Sequence, residues 1–259
     1  MVPHSLARIR SALGVGMALA SFVPAVIVQR LLLWPLIALF PSLRLPAMSR
    51  FMHLEAWAVL KSMEIGGARF RREGRIPTGE PALILMNHQS LLDIPTAVIM
   101  GRPYSPLFVT RRLYGRGIPM VSLMLRILRC PLVDPKGDRR GALMLIREAA
   151  LRESSGILIF PEGHRSRDGS VGEFHKAGIQ VMLKARRMPV YLVVTDGFWV
   201  WRRMADSFFE AGRVRGETEV LGPFLAPEGD GLGSFVDEMQ HRLVAHLKEM
   251  RERRGGTAH

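Results

Sequence analysis

Between Pro81 and Met86 the chain is apolar without interruption, and the run stops at a polar cluster, Asn87-His88-Gln89-Ser90, before a helical pattern begins. Strand-like stretches fall at 82–86, 105–110, 131–133, 156–160, 190–195 and 214–222. Between and after them, apolar residues recur every three or four positions over 90–100, 117–129, 138–153, 173–187 and 232–253. That spacing predicts helices, because residues so placed share one face of an α-helix. Strands alternating with helices predict an α/β domain whose sheet is covered by helices.

The pattern differs upstream. Residues 11–28 carry no charge, and after Gln29 and Arg30 a second uncharged block covers 31–43. Arginines stand at every end of these blocks (Arg8, Arg10, Arg30, Arg44 and Arg50), so the cation bias gives no direction for a simple crossing. Pro24 and Pro35 are expected to kink the segment. Two short helices dipping into one leaflet are therefore expected, with a single span as the alternative. From 46 to 70, Phe51, Leu54, Trp57, Leu60, Met63 and Ile65 recur at helical spacing, and a turn-rich link follows. The expected organisation is an anchoring segment over 1–45, an amphipathic helix and linker over 46–75, and an α/β domain over 76–259.

Charge narrows the partners. The 259 residues carry a formal net charge of +13, and only five of the 36 basic residues are Lys. Such a surface attracts polyanions, whether lipid headgroups, phosphorylated substrates or nucleic acid. No nucleic-acid motif accompanies the charge, so a membrane-tethered nucleic-acid-binding protein is the rival reading rather than the first one. The single cysteine, Cys130, cannot form an internal disulfide and reads as a small buried residue.

Two clusters carry candidate chemistry. His88 and Asp93 would stand about 140° apart on one continuous helix and would not meet. With His88 in the turn and Asp93 in the first helical turn, the carboxylate reaches back to a ring nitrogen, and Ser90 is placed to cap the helix. A histidine oriented by a carboxylate is the base half of a triad whose hydroxyl comes from a substrate. The second cluster, "ILIFPEGHRSRDG" from Ile157 to Gly169, runs from a buried strand into Glu162, Gly163, Arg165 and Arg167. Arginines at a strand end beside a glycine suit a phosphate. His88, Asp93, His164 and His175 as metal ligands are a further rival, although their spacing matches no common zinc pattern.

"NHQSLLD" followed some seventy residues later by "FPEGHRSRDG" resembles the 1-acyl-glycerol-3-phosphate acyltransferase family, the glycerolipid acyltransferases with a His-x4-Asp motif. The resemblance implies a mixed sheet covered by helices, with an N-terminal membrane-associated helical segment. It implies that His88 is the general base and Asp93 its partner, and that Glu162, Gly163 and Arg165 help to bind a phosphorylated acceptor. Aligned on Pro119, the basic residue of the family's middle motif falls on Arg112. His164 stands where threonine or serine is usual, and "MPVYL" keeps one proline, Pro189, of the last motif's two. The implied reaction moves a fatty acyl group from an acyl thioester, carried by coenzyme A or acyl carrier protein, to a lysophospholipid hydroxyl. It implies no metal or other cofactor, no nucleic acid, membrane lipids as partners, and a place at the cytoplasmic face of a bacterial inner membrane.

Overall fold

The computed structural model describes residues 4–200 and 210–256. Its first element is helical for more than nine turns. Helix α1 (His4–Val28) passes through a π-turn at Gln29–Leu33 into α2 (Trp34–Leu39). The expected pair of short helices is thus one run, and Ser5–Leu39 is long and apolar enough by composition to cross a membrane. Pro24 lies inside α1 without ending it. Pro35 falls in the first turn of α2, where a missing N–H costs little, and the π-turn takes up the irregularity before it. Many side chains here face outward, among them Ile9, Val23, Leu31, Leu32 and Leu39.

Helix α3 (Arg44–Ile65) follows and packs along α1. It buries Met48, Phe51, Met52, Leu60 and Met63 while Leu54 and Trp57 stay exposed, so its apolar residues serve both core and surface. The helix stops at Ile65, short of the predicted 70. Strand β1 (Arg69–Glu73) then begins inside what reads as helix and link. Its sequence, Arg-Phe-Arg-Arg-Glu, offers one apolar residue, and only pairing with another strand's backbone makes it a strand. Charge suits its position at the sheet's edge.

The remaining strands are β2 (Ile76–Pro77), β3 (Leu83–Met86), β4 (Gly101–Arg102), β5 (Leu107–Phe108), β6 (Thr110–Arg111), β7 (Leu132–Val133), β8 (Ile157–Ile159), β9 (Val190–Asp196) and β10 (Arg215–Phe224). The main sheet has the order β1-β10-β9-β3-β8-β5. Strands β9, β3, β8 and β5 run parallel, while β10 is antiparallel to β9 and carries β1 alongside it, so the sheet is mixed. Central β3 is buried at all four positions, as a strand covered on both faces should be. Helix α4 (Asp93–Met100) links β3 to β5 in one direction across the sheet. Helices α6 (Arg139–Arg152) and α7 (Lys176–Ala185) bring the chain back, so right-handed crossovers put α4 on one face and α6 and α7 on the other. Helix α8 (Leu232–Gly256) packs on α7 and β9, and α5 (Val121–Ile127) lies between β6 and β7 in the chain. The carboxyl ends of β3, β8 and β9 therefore open at one edge of the sheet.

Helices α1 and α3 approach closely at Gly14. A Cβ there would lie 2.5 Å from the Ser62 carbonyl oxygen and 2.6 Å from the Gly66 Cα, whereas one at Gly16 would meet nothing within 4 Å. Gly14→Ala should cost about 1–3 kcal/mol of stability by forcing α1 away from α3. Gly16→Ala should be neutral or slightly stabilising. Thermal unfolding of both variants in detergent checks the contrast, and equal midpoints would remove the contact from the account.

Candidate active site

The site begins where β3 ends. Asn87 donates from Nδ2 to the Thr195 carbonyl and accepts the Thr195 N–H at Oδ1, both at 2.8 Å. A side chain thus continues the pairing between β3 and β9 and fixes the direction in which the next residue leaves the sheet. That residue is His88. Its Nδ1 lies 2.7 Å from Asp93 Oδ2, and the same oxygen accepts the backbone N–H of Gln89 at 2.6 Å and of Ser90 at 2.8 Å. Because the carboxylate can only accept, Nδ1 carries the proton and Nε2 presents its lone pair. Among the described residues Nε2 has no hydrogen-bond partner. Phe160 stacks on the imidazole at 4.0 Å between centroids, covering one ring face with hydrocarbon.

Ser90 does not cap α4. Its hydroxyl accepts the Leu92 N–H at 3.0 Å inside the turn, and the helix starts at Asp93 itself. The carboxylate that meets His88 also organises the turn before the helix, and α4 has no side-chain cap.

The loop after β8 comes against this turn. Glu162 is buried, and its Oε1 accepts the His88 N–H at 2.9 Å while Oε2 accepts the Gly172 N–H at 2.8 Å. Burial raises its carboxyl above the ordinary range, opposed by those two N–H groups and by the nearby His88 and His164. Each oxygen of the Glu162 carboxylate thus holds a backbone N–H of the protein's own loops. The carboxylate ties the two loops together, a tie repeated where Ser166 N–H donates to the His88 carbonyl at 2.7 Å. Gly163 has φ +69°, and a Cβ there would approach His175 Cδ2 at 3.0 Å, so this position requires glycine.

Arg165 and Arg112 are exposed and make no hydrogen bond or ion pair among the described residues. Arg111, next to Arg112, reaches the loop and donates to the Gly163 carbonyl at 2.7 Å. The four residues proposed as metal ligands do not converge, and no group of three or more His, Cys, Asp or Glu among the described residues could hold a metal ion.

A second layer escaped the sequence. Gln89 donates to Asp196 Oδ1 at 3.3 Å and accepts the Phe198 N–H at 3.1 Å. Asp196, buried at the end of β9, is also held by Arg251 at 2.8 Å and by Arg254, both from α8. Arg251 donates in addition to the Gly169 carbonyl at 2.7 Å. A lone acid closing an apolar strand was the available signal for Asp196. Nothing local marks Arg251 among the charges of a C-terminal helix.

These contacts predict the behaviour of an isosteric change. Glu162→Gln keeps the shape but turns an NH2 group toward one of two backbone N–H groups, which should cost about 1–3 kcal/mol. The loss should appear in thermal unfolding of the ligand-free protein. An unchanged midpoint with a raised acceptor KM would instead put Glu162 in contact with substrate.

Comparison with known proteins agrees with this architecture. Residues 68–195 match the family model described as Acyltransferase. A 1-acyl-sn-glycerol-3-phosphate acyltransferase of Pseudomonas aeruginosa is 25% identical over 226 residues, covering 83% of each chain. A chloroplastic enzyme of the same description from Arabidopsis thaliana is 27% identical over 184 residues, 70% of this chain and 50% of its own length. The fold is shared with the crystal structure of the 1-acyl-sn-glycerophosphate (LPA) acyltransferase PlsC from Thermotoga maritima. That match has a TM-score of 0.58 and 21% identity, covering 90% of this chain and 98% of the other. The matched span runs from β1 into β9 and includes the turn that joins His88 to Asp93, and together these findings support the 1-acyl-glycerol-3-phosphate acyltransferase family for this chain.

Proposed function

We propose that this acyltransferase moves a fatty acyl group from an acyl thioester to the free hydroxyl of 1-acyl-glycerol-3-phosphate, giving phosphatidate. The carrier thiol is coenzyme A or acyl carrier protein. The observation that carries the reading is the hydrogen bond from His88 Nδ1 to Asp93, which leaves Nε2 unpartnered beside the loop that bears Arg165. Names of the curated relatives support the choice of acceptor.

In this reading Nε2 takes the proton of the acceptor hydroxyl as its oxygen attacks the thioester carbonyl. Asp93 balances the imidazolium that forms. Collapse of the tetrahedral adduct breaks the C–S bond, and the imidazolium returns its proton to the departing thiolate. A thioester is already activated, so positioning and proton transfer suffice and no metal or other cofactor is invoked. Arg165 is the acceptor-phosphate ligand, with Arg112 and the Gly163 backbone beside it. The apolar run Ser5–Leu39 holds the enzyme at the cytoplasmic face of a bacterial inner membrane, where acyl chains and lysolipid are found.

The test is incubation of the purified full chain with a labelled acyl thioester and a panel of lysolipids and polar alcohols, with products identified by mass spectrometry. Phosphatidate should dominate, and no ester product with any acceptor would overturn the reading.

His88→Ala should lower kcat by about 10²- to 10⁴-fold with donor binding intact. Asp93→Asn keeps an oxygen for the turn but loses the negative charge, so most of the rate should go while the fold is kept. Full activity in either variant removes that residue from the mechanism. Arg165→Ala should raise acceptor KM by an amount worth about 2 kcal/mol with kcat little changed. Steady-state kinetics with varied acceptor measures it, and an unchanged KM places the phosphate elsewhere.

A further inference from the structure

From Ile94 to Val133 the chain has six arginines and neither Asp, Glu nor Lys. Within that stretch, the segment from Arg111 to Ile118 turns apolar side chains outward between its arginines. Leu113 is 62% exposed, Tyr114 40% and Ile118 37%, and Arg112 and Arg116 are exposed alongside them. Apolar groups so exposed on a flexible strand would be unremarkable, but this segment is built. The Ser122 hydroxyl donates to the Tyr114 carbonyl at 2.9 Å and accepts the Ile118 N–H at 3.0 Å, and Ser122 N–H donates to the Ile118 carbonyl at 3.0 Å. One serine thus staples both ends of the loop. Gly115 packs so tightly on Leu132 that a Cβ would lie 2.5 Å from its Cδ1.

Two contacts place the loop. At one end Arg111 donates to Gly163, next to the turn that holds His88. At the other, α5 runs seven residues to a C-terminus that Arg44 grips, donating to the Leu128 carbonyl at 2.8 Å. Arg44 directly follows the end of the apolar helical run, where Leu39 is 75% and Phe40 55% exposed. Through α5 the loop is thus linked to the end of the N-terminal apolar helices on one side and, through Arg111, to the candidate active site on the other.

We propose that residues 112–118 form a second membrane contact, which lays Leu113, Tyr114 and Ile118 into the interface of a bilayer containing anionic lipid. Arg116 meets lipid phosphates while the apolar groups enter the acyl boundary, and Arg112 stays with the acceptor phosphate. The pattern of aliphatic and aromatic groups with cations and no acid suits that interface, and the link through α5 to the end of the apolar helices favours a bilayer over an acidic protein. The contact sets the mouth of the site against the surface from which a lipid acceptor enters. That last consequence rests on the acyltransfer reading, while the membrane contact itself does not.

The test uses the lone cysteine. Cys130 is buried and its thiol is pushed up to about 12 by burial, so it does not compete for labels. Tyr114→Cys, Ile118→Cys and, as control on α6, Met144→Cys are each spin-labelled in the full chain and reconstituted into vesicles with anionic lipid. Labels at 114 and 118 should gain collisions with oxygen and lose collisions with a water-soluble nickel chelate, while the label at 144 should not change. Labels at 114 and 118 that stay as open to nickel as the control overturn the proposal. So does protection that appears only when acyl carrier protein is added in detergent. A kinetic arm uses Leu113→Ser/Tyr114→Ser/Ile118→Ser. Turnover of vesicle-borne acceptor should fall about tenfold with a monomeric short-chain acceptor unaffected, and an equal loss on both acceptors overturns the proposed role. If the parent enzyme acylates neither acceptor, the acyltransfer reading fails, and the spin labels still decide the membrane contact.

Discussion

One carboxylate oxygen organises the candidate site. Asp93 is fully buried, and its Oδ2 accepts from the His88 ring and from the backbone of Gln89 and Ser90. A buried negative charge is costly unless donors surround it, and three converging N–H groups supply that compensation. The same three bonds bend the chain from β3 into α4. Turn geometry and imidazole orientation are consequently one property, and a change that loosens either disturbs the other.

Around that turn, three long-range ties join the ends of separate strands. Asn87 locks the exit of β3 to β9, Glu162 holds the loop after β8 to the His88 backbone, and Gln89 connects the turn to Asp196 and so to α8. Each tie saturates a polar group that the closing of the sheet edge would otherwise bury unpaired. The result is a rigid floor of backbone and buried acids, with His88 Nε2 and the exposed Arg165 above it. Rigidity on one side and open cations on the other suit a site that takes up a flexible, phosphorylated substrate.

The sequence was legible where the physics is local. The six strand-like stretches correspond to β3, β5, β7, β8, β9 and β10, and the meeting of His88 with Asp93 followed from spacing across a strand-to-helix junction. Strand β1 was not legible, because Arg-Phe-Arg-Arg-Glu has no apolar alternation and becomes a strand only through pairing with β10. Pro24 and Pro35 suggested breaks, yet α1 runs on past Pro24, and Pro35 sits in the first turn of α2 after a π-turn. Arg251 sits more than 150 positions from the turn it braces, and no short pattern encodes such a contact. Glu162 was found by its motif, yet its structural work, gripping two backbone N–H groups, depends on residues 74 positions before it and 10 after.

The most direct measurement is of the proton on the His88 ring. In a protein labelled with ¹⁵N at histidine, the account predicts that neutral His88 carries its proton on Nδ1, in a hydrogen bond to Asp93 that slows its exchange with water. The ¹⁵N shift of Nε2 should be that of an unprotonated, pyridine-like nitrogen. In Asp93→Asn that tautomeric preference should weaken and the Nδ1 proton should exchange faster. A neutral His88 protonated on Nε2 in the parent protein, with Nδ1 bare toward Asp93, would contradict the account at its centre.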